Sequence, residues 1–166
     1  MNVFFTNQCP VKSARDHNKK HRNKMIVEYA QLLSSAHHLL DGDNAIDGIY
    51  KKTHQNHPSA VWCRKSITHY DWVLDCAFEL CAMYTRDTGK LHKTQAILEL
   101  LRQPPINIPA LPFVEPPVAA PDEFKAVAIF KGAAVAYQQY LVSKFEEWQQ
   151  REKPIAVEFD YKPDWV

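Results

Sequence analysis

The sequence predicts a mainly α, single-domain fold over residues 1–166, with a short N-terminal β element and a long proline-rich crossing loop. Three observations predict it. Apolar residues recur at helical spacing in four stretches, around 25–40, 72–84, 97–101 and 137–148. A β-favouring run occurs at residues 2–5, Asn-Val-Phe-Phe. Seven prolines fall between 104 and 121, where regular structure is excluded. With 46% hydrophobic residues and 20 Lys+Arg against 19 Asp+Glu, the chain can bury a core and is not disordered.

Residues 2–5 read as a strand or a buried N-terminal anchor, ended by Pro10. Ser13 is the N-cap expected for a helix running to about Leu40, stopped by Asp41-Gly42-Asp43. Its second half carries Met25, Ile26, Tyr29, Leu32, Leu33 and Ala36 on one apolar face. Its first half is polar and reads as an exposed basic arm. Residues 41–58 form a polar connection, and Pro58 opens a short helix over 59–66. Thr68 and Asp71 resemble a capping box for a helix reaching Asp87, with Gly89 as its C-cap. A further helix covers about 91–102, and residues 103–122 are the proline-rich loop. Helix returns over about 126–151, with Tyr137, Leu141, Phe145 and Trp148 as its buried stripe. Residues 154–166 form an extended tail.

No apolar run approaches the roughly 20 residues a membrane span needs, and no basic stretch precedes an apolar one at the N-terminus. A cytoplasmic protein with no membrane partner is expected. Cys9, Cys63, Cys76 and Cys81 contain no CxxC pair and read as structural thiols. No HExxH, GxGxxG, Walker A or GxSxG motif occurs, so neither a metal nor a cofactor is expected. His17 and His21 have ligand-like i,i+4 spacing, which His54 and His57 could complete, yet no local carboxylate trio joins them.

Charge is uneven along the chain. Residues 1–102 carry 14 Lys+Arg and 10 Asp+Glu, whereas residues 103–166 carry 6 and 9. The basic excess concentrates in 9–24 and 51–65, as a polyanion partner requires or as an ordinary solvated helix face would show. Two polar clusters lie there. In the first, Lys20, Lys24 and Glu28 are spaced by four on one helix face, with His21 beside them. A carboxylate among ammonium groups can stabilise a cationic intermediate, or it can be half of a simple helix ion pair. In the second, Thr53-His54-Gln55-Asn56-His57-Pro58 leads to Trp62 and Arg64 at a loop-to-helix junction, where binding groups concentrate. His92 and Lys93 extend the basic surface.

An MNxF start, KHxxKMxxExAQLL over Lys20–Leu33, THxNHPxxxWxR over Thr53–Arg64 and YTxxxGKxH over Tyr84–His92 resemble a family of small tailed-bacteriophage proteins. The order of these elements is similar to that of the endonuclease V type of pyrimidine-dimer DNA glycosylase. That resemblance implies a base-excision mechanism in which an N-terminal amine attacks the deoxyribose C1′ and a helix glutamate stabilises the cation. Glu28 matches the glutamate. Asn2 is too large to favour removal of the initiator residue, so the amine belongs to Met1. The resemblance also implies phosphate contacts from Lys20, Lys24, Arg64 and Lys93, with His21 and Thr53 in the same surface. His54, Asn56 and His57 would then face the distorted nucleotide.

The reading is therefore a phage-type DNA glycosylase/lyase acting on damaged or modified duplex DNA in a host cytoplasm. The catalytic residues would be Glu28, Met1, His54 and His57. Two alternatives stand beside it. One is a non-catalytic phage accessory protein that binds nucleic acid or a host protein. The other is a nucleotide enzyme built on the Thr53–Arg64 loop.

Overall fold

The computed structural model describes residues 2–166. Six α-helices follow one another: α1 (Pro10–Arg15), α2 (Lys19–Leu40), α3 (Pro58–Cys63), α4 (Ile67–Thr88), α5 (Gln95–Leu100) and α6 (Asp122–Gln150). The long helices α2 and α4 pack on each other, and α1 lies across α4. Tyr29, Leu32 and Leu33 of α2, Tyr70, Val73 and Leu80 of α4, and Tyr137 and Leu141 of α6 join one continuous buried cluster with Phe5. Gly89 closes α4 in the left-handed conformation (φ 69°), where a residue without Cβ is unstrained. Among the described residues, no helix is long and apolar enough to cross a membrane.

The N-terminal run is a buried anchor and pairs with no strand. Val3, Phe4 and Phe5 are buried, and the backbone N–H of Phe4 donates to the Tyr29 hydroxyl at 3.2 Å. Among the described residues the sole β-type pairing is an isolated bridge between Asn18 and Phe159.

The expected helix from Ser13 to Leu40 is two helices. Asn18 breaks it by adopting an extended conformation and capping α2, its side-chain oxygen accepting from the His21 N–H at 2.8 Å. Ser13 instead lies inside α1, its hydroxyl donating to the Phe4 carbonyl at 2.8 Å.

Nor is the start of α2 an exposed arm. His17, Asn18, His21 and Arg22 are buried: the tail folds back over Asn18 and Arg22, while Phe4 and Tyr29 pack on His17 and Phe4, Phe145 and Trp148 on His21. Lys19 N–H donates to the Glu158 carbonyl at 2.7 Å, and the Arg22 guanidinium, 1% exposed, bonds both Asp87 and Asp160. Arg15 pairs with Glu79 and Lys19 with Asp87. Much of the basic excess near the N-terminus is thus spent within the molecule.

Three further boundaries shift. α4 begins after Ser66, whose hydroxyl accepts from the Thr68 N–H, so Ser66 rather than Thr68 is the cap. The helix expected over 91–102 shrinks to Gln95–Leu100. α6 starts at Asp122 and kinks at Gly132 (φ 85°, ψ 164°). The Glu115 carboxylate accepts from the freed Ala133 N–H at 2.8 Å, capping the second half. The first half, residues 122–131, contains no fully buried residue.

The proline-rich loop is fastened along its length. Asp41 accepts from the N–H groups of Ile106 and Asn107, at 2.8 and 3.0 Å. His69 accepts from Val114 N–H at 3.1 Å, and Trp62 Nε1 donates to the Val114 carbonyl at 2.8 Å. These bonds satisfy backbone groups that proline's geometry keeps out of helices and sheets.

Candidate functional site

Helix α2 serves as the ruler for the site. Ser34, Ser35 and His38 hold the 50–57 connection against it: Tyr50 N–H donates to Ser34 Oγ, and Thr53 N–H donates to Ser35 Oγ at 3.0 Å. His38 Nε2 bonds the Tyr50 carbonyl at 2.9 Å. Glu28 lies two turns earlier on the same helix. The polar clusters around Glu28 and His57, separate in sequence, are in this way brought together. These serines escaped the sequence reading, which saw them only as positions in an apolar helix.

Glu28 bonds Lys24 at 3.1 Å across one helical turn, with its own side chain only 14% exposed and that of Lys24 64% exposed. The carboxylate is close enough to His57 to pull the imidazole pKa upward. Burial outweighs this and, with repulsion from His54, leaves the His57 pKa below its ordinary value. His57 caps α3, its Nδ1 accepting from Ser59 N–H at 3.2 Å. That bond assigns the proton of the neutral ring to Nε2, which makes Nε2–H a hydrogen-bond donor.

His54 is the one non-glycine among the described residues with positive φ, at 47°. Its Nδ1 lies 2.7 Å from Thr53 Oγ1. A left-handed non-glycine residue costs on the order of 1–3 kcal/mol and concentrates at functional positions. Arg64 reaches back to the Gln55 carbonyl at 2.7 Å and so braces this loop, while Asn56 is exposed at its tip. Lys93 is exposed in the turn before α5, beside the 2.9 Å bond between Tyr50 and Thr94, at the far end of the connection from His57.

An open groove of about 700 Å³ begins beside His57. Pro58, the 117–121 strip, Lys125, Ala128 and Tyr140 line it. The groove was not legible in the sequence, because its walls come from three distant segments. Asn2 is tied to it: its amide donates to the Ala119 carbonyl at 2.9 Å and accepts from the Tyr137 hydroxyl at 2.7 Å. The same hydroxyl lies 3.0 Å from the Pro117 carbonyl and accepts from Ala119 N–H at 3.1 Å. Tyr137→Phe should therefore cost about 1–3 kcal/mol in urea denaturation, since it strips partners from part-buried groups at once. A loss below about 0.5 kcal/mol would show that these bonds do not hold the segment. Met1, the expected nucleophile, lies outside the described residues.

A basic strip continues from the groove. Lys144 sits over the rings of Tyr140 and Trp148, and Lys20 over Trp148 at 5.4 Å. Lys20, Lys24 and Lys144 all act electrostatically on His21. His21 itself is packed between Phe4 and Trp148 at ring distances of 4.8 and 5.0 Å, and burial drives its pKa to about 3. It is a neutral core group beneath the lysines. His17, fully buried, is pushed to about 4, its Nδ1 on the Ser13 carbonyl. Among the described residues no group of His, Cys, Asp and Glu is arranged to hold a metal. The thiols of Cys63 and Cys81 are pushed up to about 12 by burial, which makes them poor nucleophiles at neutral pH.

Comparison with protein-family models, with curated proteins and with solved structures gives no match to this chain, so the geometry of Glu28, His57 and the groove carries the functional argument.

Proposed function

We propose that the chain is a DNA glycosylase/lyase acting on damaged or modified bases, with an amine nucleophile and Glu28 as the stabilising carboxylate. The observation that supports this best is a mostly buried carboxylate, Glu28, within electrostatic reach of His57, whose chain neighbour Pro58 lines a groove together with Lys125. In the proposed reaction the lone pair of the Met1 amine forms an N–C1′ bond. The bond from C1′ to the base breaks, its electrons leave with the base, and a proton completes the base. Loss of the amine proton and opening of the sugar ring leave a protonated imine. Glu28 stabilises that positive charge, and removal of a C2′ proton then expels the 3′ phosphate. His57 Nε2–H and Lys24 would donate to phosphate oxygens of the distorted strand, with Lys20 and Lys144 further along the backbone.

The test is borohydride trapping on ultraviolet-irradiated, abasic and undamaged duplexes, with wild type and Glu28→Gln in parallel. The expected result is a covalent adduct on irradiated and abasic DNA, and product formation at least about 100-fold slower in Glu28→Gln, the scale of losing one transition-state electrostatic contact. Absence of adduct and of strand cleavage in the wild type would sink the proposal.

A further inference from the structure

We infer that the groove between Pro58 and Tyr140 is the subsite for the nucleobase itself, and that it selects mainly by shape and apolar contact. The inference rests on the glycosylase/lyase reading and adds to it where the base goes and how it is judged.

Part of the walls' hydrogen-bonding capacity is already spent within the protein. Pro58, Pro117 and Pro121 have no N–H. The Pro117 carbonyl faces the Tyr137 hydroxyl, the Ala119 carbonyl accepts from Asn2, and the Pro121 carbonyl accepts from Phe124 and Lys125 N–H. The Ala119 N–H is spent on Tyr137 as well. The backbone of Val118 and Ala120, the Tyr140 hydroxyl and the Lys125 ammonium remain at the lining, but most of its surface is methyl, methylene and ring from Val118, Ala120, Ala128 and Tyr140. Such a surface suits a flat heterocycle turned out of the stack, because every base has an apolar face while its edges differ.

Charge at the rim fits the backbone that would flank an extruded base. Lys125 lines the groove, and Lys144 lies over the ring of Tyr140 at 5.6 Å. Lys125 is paired with Asp122 at 2.8 Å, but both are exposed, and such a pair exchanges readily for a phosphate. Position also fits: Pro58 follows His57, which lies within electrostatic reach of Glu28, and Asn2 bonds the groove wall.

Selection mainly by apolar contact has a measurable signature. Apolar pockets separate similar ligands by factors of roughly 10–200, whereas sites that hydrogen-bond a substrate group reach about 10⁴. Base release measured across several lesions of similar size should thus vary within about 100-fold in kcat/KM.

The deciding experiment fills the groove with Ala128→Trp. Cleavage of the bond between C1′ and the base in ultraviolet-irradiated duplex should fall at least about 10-fold, while borohydride trapping on an abasic duplex, which has no base to seat, should stay within about 2-fold. Ala120→Phe, on the facing strip, is the second variant should Ala128→Trp not fold. Unchanged cleavage of that bond in a folded variant would overturn the inference. So would an equal loss on both substrates, or a wild type that traps abasic DNA but leaves the C1′–base bonds of irradiated DNA intact. A wild type that traps neither substrate would instead remove the glycosylase/lyase reading on which the inference stands.

Discussion

Acidification from pH 7.5 to pH 5 should cost the protein about 4 kcal/mol of folding stability, mainly through two buried histidines. Burial holds His17 at about 4 and His21 at about 3, both below the ordinary imidazole value. The folded state therefore refuses protons that the unfolded chain accepts below about pH 6.5. Stability is full above that value and is lost as pH falls toward the folded pKa values, with each histidine contributing roughly 2 kcal/mol by pH 5. His37, His57, His69 and His92 are shifted in the same direction and steepen the trend. Asp16, Asp71 and Asp75 have raised pKa values and oppose it as the acids protonate, toward the lower end of the range. Urea denaturation at pH 7.5, 6 and 5 reads the effect directly. His21→Phe, which keeps an aromatic ring between Phe4 and Trp148, should remove about half of the loss. A flat profile would mean that these rings are hydrated in solution.

Arg22→Ala should destabilise the fold by about 3 kcal/mol, the scale of removing one partner from a buried charge network. The guanidinium is 1% exposed, bonds Asp160 and Asp87 on its two terminal nitrogens, and donates from Nε to Asn23 at 3.0 Å. Asp87 retains Lys19 at 2.8 Å, whereas Asp160 keeps only a longer contact of 3.8 Å to Lys19. For a chain of this size the melting temperature should drop by about 6–12 °C. Arg22→Lys should recover little of this, because one ammonium cannot span both carboxylates as the planar fork does. The effect should survive added salt better than a surface pair would. A loss under about 1 kcal/mol would show that the bonds to the tail contribute nothing.

Periodicity made the helical class and the core of α2, α4 and α6 legible in the sequence, because Tyr29, Leu80 and Tyr137 announce themselves by spacing. Breaks in helices were hidden where a distant partner creates them. Asn18 reads as one more polar helix residue until the Phe159 segment lies beside it, and the kink at Gly132 depends on Glu115. The histidine loop and Glu28 stood out as clusters of chemistry-bearing residues. Their meeting did not, since it is made by Ser34 and Ser35, whose hydroxyls look like ordinary helix polarity. Charge misled most. Arg15, Lys19 and Arg22 count as basic surface in a sequence, yet their acids lie 64 or more residues away.

Closure of the start of α2 by the tail sets an order of events during synthesis. Arg22 waits for Asp160, 138 residues later, and Asn2 for Tyr137, 135 residues later. While the ribosome is still making the later chain, the guanidinium has Asp87 alone to bond, and Asn2 lacks the Tyr137 hydroxyl. Contacts of such long span also slow folding, because loop entropy is lost before they form. Helices α2 to α5 can collapse early around their shared apolar faces, but the Asn2 end of the groove can take shape only once Tyr137 has been made. A nascent chain is thereby kept from presenting a finished site.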